Sequence, residues 1–207
     1  MKVFITYIPQ QPPGSLRKSK YHPQGNERLE FGETRFPIIP VINGYAEPGE
    51  TIRILAICPD YEYCHINLEA FREEVRELFE RNGYVSGAVS GGQFDTLDMV
   101  YDDAVSNHID VFSALTNEIH EGDVIHACIT YGTKPSTTTE LMALRYARQF
   151  VKNTHVACVV YGQYDWTEHI CKIYDETALV YLDDIIRVLA QTGTANPGAA
   201  LKRIIEM

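Results

Sequence analysis

The stretch that most constrains the fold is Val124-Ile125-His126-Ala127-Cys128-Ile129-Thr130-Tyr131-Gly132-Thr133-Lys134-Pro135. Five of its first six residues are apolar or small, the pattern of a strand covered on both faces, as in a parallel sheet. The chain then needs a tight turn (Gly132), a cation (Lys134) and a helix start. Pro135 suits a helix entrance, because the N–H it lacks has no helical partner there. Thr137 with Glu140 has the spacing of a capping box. A strand that turns and opens a helix places free backbone amides and the positive end of a helix dipole at the carboxyl edge of a sheet. That combination is an anion site.

The flanking segments alternate in the same way. Residues 2–8 form a β-rich run, and Thr51–Cys58 a second strand ended by Pro59 and Asp60. Residues 66–82 are the clearest helix, with Leu68, Phe71, Val75, Leu78 and Phe79 on one face and Asn82-Gly83 closing it. Residues 84–89 predict a short third strand, followed by a Ser90-Gly91-Gly92 turn. A helix over 105–120 carries Val105, Ile109, Phe112, Leu115 and Ile119 at helical spacing. One over 137–151 turns Leu141, Leu144, Ala147 and Phe150 inward. His155–Gly162 is a further strand, and helices over about 175–190 and 198–205 close the chain. Strands alternating with helices predict an α/β fold, a Rossmann-like, mostly parallel sheet flanked by helices. With 207 residues, 45% of them hydrophobic, one domain over 1–207 is expected.

Between about residues 9 and 50 the chain reads as one long loop. Pro9, Pro12, Pro13 and Gly14 rule out helix at its start, and loops of this length are usually functional or mobile. Phe36 to Ile42 adds either a short edge strand or apolar cover to the core. Arg17-Lys18-Ser19-Lys20 is the densest positive cluster of the chain. It is either a solvated loop tip or a lid over an anion.

Composition excludes several classes. A formal net charge of -10 disfavours binding to long nucleic acid, which needs a broad basic surface. No run of about 18 apolar residues predicts a membrane span, and no signal peptide precedes the first strand. The five cysteines form no CxxC pair and read as reduced core thiols, which places the protein in the cytoplasm. There is no Walker A, GxGxxG, HExxH or GxSxG motif, and the seven histidines lack metal-ligand spacing, so neither metal nor cofactor is expected. His126 reads as a hydrogen-bonded polar residue of the core. Asp102-Asp103 and Asp183-Asp184 read as solvated helix positions, and the Arg17–His22 and Arg148–His155 spacings as chance matches to a ribonuclease pattern.

Ile129-Thr130-Tyr131-Gly132-Thr133-Lys134-Pro135, followed by Leu141-Met142-Ala143-Leu144-Arg145-Tyr146-Ala147, resembles the CARF family, the CRISPR-associated Rossmann fold that senses cyclic oligoadenylates in type III CRISPR defence. There a core strand ends in a turn of the type Thr-Gly-Gly-Thr-Lys or Thr-His-Gly-Phe-Arg, and a helix bearing Leu, Ala and Tyr-Ala follows. Glu121-Gly122-Asp123, the strand ending Val160-Tyr161-Gly162 and the early strand Val3-Phe4-Ile5-Thr6 extend the resemblance over nearly the whole chain. Tyr131 stands where many members have Gly or His. Members commonly carry an effector domain after the sensor, whereas this sequence stops at Met207; standalone members are often ring nucleases.

The resemblance implies a homodimer in which two Gly132-Thr133-Lys134 turns face each other across a two-fold axis around a cyclic tetra- or hexa-adenylate. The phosphates are then expected at the turn amides, the Thr130 and Thr133 hydroxyls and the helix start near Ser136 and Thr137. Thr6 and the loop bearing Ser15, Arg17, Lys18 and Lys20 cover the other side, and adenines stack on Tyr7 and Tyr131. Cleavage by in-line attack of a ribose 2′-hydroxyl needs no metal; Lys134 is the expected cation, with Thr133 and Ser136 as supporting donors. The alternative is a sensor or sponge that leaves the ring intact and acts through a separate effector protein.

Overall fold

The computed structural model describes residues 1–205. Its strands are β1 (Lys2–Tyr7), β2 (Ser19–Gln24), β3 (Glu33–Thr34), β4 (Thr51–Pro59), β5 (Val85–Ser86), β6 (Asp95–Met99), β7 (Val124–Cys128), β8 (His155–Asp165) and β9 (Ile170–Asp175). Its helices are α1 (Ile38–Tyr45), α2 (Glu62–Asn82), α3 (Val105–Asn117), α4 (Lys134–Phe150), α5 (Thr177–Gln191) and α6 (Pro197–Ile205). The strands form one sheet in the order β3-β2-β9-β8-β7-β1-β4-β5, and β6 also pairs with β4. β8, β7, β1, β4, β5 and β6 all run parallel, the Rossmann-like core expected from the alternation of elements. β9 returns antiparallel to β8, and β2 of the first loop pairs with β9.

β1 is the spine. It lies between β4 and β7, and Phe4, Ile5 and Tyr7 are fully buried. The two sheet faces are covered by different helices: Phe4 and His126 stack at 4.6 Å beside Tyr45 of α1, whereas Tyr7 faces Gly132 and Ser136 at the start of α4. From β1 the chain crosses to β4 on one side, and it later places β7 on the other. The carboxyl ends of β1 and β7 therefore flank the switch point of the sheet, where open α/β sheets bind ligands.

The structure revises the expected elements in five places. The first loop is built and fastened. It holds β2, β3 and two 3-10 turns, and Asn67 Nδ2 donates to the carbonyls of Pro9 (2.8 Å) and Gln11 (2.9 Å). Phe36 to Ile42 is no edge strand but leads into α1, whose Ile38, Ile39, Val41 and Ile42 are the apolar cover. Pro40 is tolerated because it sits in the first turn, where backbone N–H groups have no helical partner. β5 is only two residues long, and β6 takes the rest of the edge of β4. β9 adds a strand to the stretch between Gly162 and the helix expected from about 175, which the sequence reading left without an element.

The fifth revision concerns helix faces. Val105, Ile109 and Phe150, expected inward, are 73%, 57% and 69% exposed. α3 instead buries His108, Val111 and Leu115, and α4 buries Ser136, Thr139, Glu140, Ala143, Leu144 and Ala147. Asp183 and Asp184 are ion-pair partners of Arg145 and Arg148, tying α5 to α4, rather than solvated positions. His126 is buried with Nδ1 unpartnered, so it serves the core as an aromatic ring and not through a full set of hydrogen bonds. No helix among the described residues is long and apolar enough to cross a membrane.

Candidate functional site

β7 ends at Cys128, and the next five residues turn the chain into α4. Gly132 makes the turn with φ +96°, a region L side chains rarely adopt, and a Cβ there would lie 3.2 Å from the Tyr7 ring and 3.1 Å from Ser136 Cβ. The helix begins earlier than the Thr137–Glu140 spacing predicted. Thr133 is the N-cap: its Oγ1 accepts from Ser136 N (3.4 Å) and lies 3.0 Å from Ser136 Oγ. Glu140 caps nothing; it is fully buried beneath the turn with both carboxylate oxygens unpartnered, and burial raises its pKa well above the usual carboxylate range.

The first turn of α4 carries no acidic residue, and Lys134 is its first residue. A lysine there opposes the helix dipole, typically at a cost of about 0.3–1 kcal/mol. Lys134 is exposed, and its ammonium has no hydrogen bond or ion pair among the described residues; its carbonyl accepts from Thr138 Oγ1 (3.0 Å). The chain's own answer to this positive end is one carboxylate: Thr133 Oγ1 donates to Asp103 Oδ1 at 2.8 Å. Asp103 stands in the loop after β6, not on a helix, and His108 Nε2 lies 3.3 Å from the same oxygen.

Two cavities flank the turn. The larger, about 480 Å³, lies between the first loop and the β8–β9 hairpin, and Thr130, Tyr131, Ser15, Arg17, Tyr164 and Trp166 line it. This volume is within the roughly 300–1,000 Å³ typical of small-molecule sites. Arg17 is the only charged residue among those lining it. Trp166, at the hairpin tip, is 80% exposed and meets Tyr164 edge-to-face at 4.7 Å. The hairpin is braced by Lys172, which pairs with Asp165 (2.8 Å) and Glu168 (2.7 Å). Lys172 and the Glu168 and Thr167 amides lower the Asp165 carboxyl to about 2. The smaller cavity, about 230 Å³, is lined by Gln10, Pro59, the Met99–Asp103 segment and Thr133.

The structure brings some expected site residues together and removes others. Thr130, Tyr131, Ser15 and Arg17 line the larger cavity, and Thr133 the smaller. Thr130 Oγ1 accepts from Gly162 N (2.8 Å), and the Tyr131 hydroxyl donates to Arg35 O (2.6 Å), so the turn is anchored on both sides. Gly132 is exposed and Thr137 half-buried, its N–H donating to Thr133 O. Thr6 and Tyr7 are 2% and 0% exposed, so neither reaches a ligand; Tyr7 is a core ring that supports Gly132. Ser136 is buried and acts on Thr133 rather than on solvent. Lys18 and Lys20 turn away to Glu77 (3.9 Å) and Glu30 (2.7 Å).

Sequence reasoning set Asp103 aside as a solvated helix position, and it did not single out Tyr164 or Trp166. The signal for Trp166 was present: the chain's single tryptophan sits in the polar run Tyr164-Asp165-Trp166-Thr167-Glu168, which offers it no core. Asp103 carried no local signal, because it lies 30 residues from Thr133. No protein-family model matches the chain, and no curated protein matches it in sequence.

Proposed function

We propose that this chain binds a cyclic oligoadenylate, most readily the four-membered ring, as a homodimer in the cytoplasm, and cleaves it by 2′-hydroxyl attack to switch off type III CRISPR signalling. The observation that carries the reading is the pair of cavities on either side of the Tyr131–Thr133 turn, at the switch point of a Rossmann-like sheet. Across a two-fold axis, a four-membered ring offers each protomer two nucleotides, and each protomer has two cavities to receive them. In the larger, Trp166 and Tyr164 offer aromatic surface for an adenine, worth about 1–3 kcal/mol per stacked base, and Arg17 faces a phosphate. The amides at the start of α4, its dipole and Lys134 favour negative charge locally in a chain of net charge -10.

The second copy is supported by the outward apolar faces of α3 and α4. Val105, Ile109, Met142, Tyr146 and Phe150 are all exposed, and Tyr146 joins Phe112 and Phe150 ring to ring. This surface runs from the Thr133–Lys134 turn along α4. An isologous contact through it brings two turns toward one axis.

The test is incubation with labelled cyclic tri-, tetra- and hexa-adenylate and linear tetra-adenylate, read by thermal shift for binding and by mass analysis for cleavage. Stabilisation by the four-membered ring and a product ending in a 2′,3′-cyclic phosphate are expected; a ring with 2′-O-methyl groups binds and stays intact. No shift with any ring refutes the proposal. Binding without cleavage leaves a sensor or sponge that works through a separate effector. Lys134→Ala with undiminished binding and cleavage removes Lys134 from the mechanism.

A further inference from the structure

We infer that Asp103 is the catalytic residue that accepts the 2′-hydroxyl proton in ring cleavage, with His108 as its positioning residue. This rests on the ring-cleaving reading above, which by itself names no general base. Asp103 lines the smaller cavity, and its Oδ1 is held by the Thr133 hydroxyl at 2.8 Å with His108 Nε2 3.3 Å away. Its Oδ2 has no hydrogen-bond partner among the described residues. His108 is 8% exposed, and neither ring nitrogen has a hydrogen-bond partner among the described residues, so a buried imidazole lies beside the carboxylate without another role. A carboxylate beside an anion site opposes the binding of a phosphate. Its presence at the N-cap of α4, where Lys134 and the helix dipole invite one, makes sense if it acts on the proton of the attacking group.

The step balances without a co-reactant. The 2′-hydroxyl gives its proton to Asp103 Oδ2 as the 2′-oxygen forms a bond to the adjacent phosphorus. The bond from phosphorus to the 5′-oxygen breaks, and that oxygen takes a proton from water. Asp103 then returns its proton to solvent, leaving a 2′,3′-cyclic phosphate and a 5′-hydroxyl. The Thr133 hydroxyl fixes the carboxylate while the amides of the first turn hold the phosphate.

The experiment compares the full chain with Asp103→Asn and Asp103→Ala, measuring affinity for cyclic tetra-adenylate and its single-turnover cleavage. A general base contributes about 10²–10⁴-fold, so D103N is expected to cleave at least ~100-fold more slowly while binding as tightly or more tightly. D103A is expected to regain cleavage when formate is added. Asp103 has a half-exposed side chain, so both variants should stay folded and melt within about 4 °C of the parent, the loss of one charge at the helix end. His108→Asn is expected to lower the cleavage rate with unchanged affinity. D103N cleavage within threefold of the parent, or equal losses of affinity and rate, overturns the assignment. A parent chain that cleaves the ring with D103N cleaving equally well overturns this assignment alone; one that binds the ring but leaves it intact overturns both this assignment and the cleavage half of the proposed function, and one that binds no ring overturns the proposed function whole.

Discussion

Replacing Glu140 by methionine should stabilise the protein. Its carboxyl is fully buried on the inner face of α4, no group donates to it, and burial alone raises its pKa well above 4.5. The fold therefore favours the neutral, protonated carboxyl, whose polar atoms have no partner among the described residues. Removing an unsatisfied buried polar group of this kind recovers about 1–3 kcal/mol. In a chain of this size each kcal/mol moves the melting temperature by about 2–4 °C, so Glu140→Met should melt roughly 2–12 °C higher. The pH dependence has a definite sign. With the folded pKa above the unfolded one, the contribution is fully present below about pH 4.5 and is lost as pH rises toward the folded value, by up to about 1.4 kcal/mol per pH unit. Urea denaturation followed as pH rises above about 4.5 should show this slope in the parent and not in Glu140→Met. Glu140→Gln should lose the slope but melt below the methionine variant, because its amide remains unpartnered. A methionine variant less stable than the parent at every pH would refute the reasoning: the carboxyl would then have a stabilising partner.

Four further outcomes follow from the geometry. Gly132→Ala combines left-handed strain with contact against Tyr7 and should cost about 2–4 kcal/mol, against about 1–2 for Gly83→Ala, where φ is +67° but no atom lies within 4 Å; equal losses in urea denaturation would remove the Tyr7 contact from the account. The imidazole of His126 is depressed by burial to about 4, so its neutral form contributes about 3 kcal/mol that is present above pH 6.5 and lost as pH falls through 4; His126→Phe should keep the stack on Phe4 and flatten acid unfolding in that window. Trp166→Ala should weaken ring binding by about 5–150-fold, the value of one stacked base, with little change in melting temperature because the side chain is 80% exposed. On the proposed dimer through the outward apolar face of α4, Phe150→Glu should give a monomer by light scattering where the parent gives a dimer, since it puts a charge into that face.

Glu140 and His126 also titrate in opposite senses. Between about pH 4.5 and 6.5 acidification relieves the buried carboxyl and penalises the buried imidazole, so the parent alone hides both effects. The single variants separate them. Glu140 sits directly under the turn that the proposed ligand contacts, with the Tyr7 hydroxyl also buried there, so the site floor holds polar groups shut away from the surface. Cores usually avoid such groups. Their place beneath the Gly132 turn is the second sign, after Lys134, that this part of the chain is not optimised for stability.

What the sequence alone determined was local. An apolar run followed by Gly-Thr-Lys-Pro specified a buried strand, a turn with positive φ and a helix start, and α2 with its Gly83 cap was equally readable, because backbone sterics and the helical period act over a few residues. Tertiary structure decided which surfaces face which. The apolar residues of α3 and α4 were assigned to the core from spacing alone, but spacing defines a face, not what covers it; β6 and the inner row of α4 occupy the interior and leave Val105, Ile109 and Phe150 outside. Tyr7 and Thr6 followed β1 into the sheet, because flanking strands bury both faces of a central one. Lys18 and Lys20 were drawn off by the acids of α2 and of their own loop, leaving Arg17 to the cavity. The meeting of Asp103, His108 and Thr133 is set by β6 and β7 lying on either side of the β4–β1 pair, a relation that no residue pattern along the chain encodes.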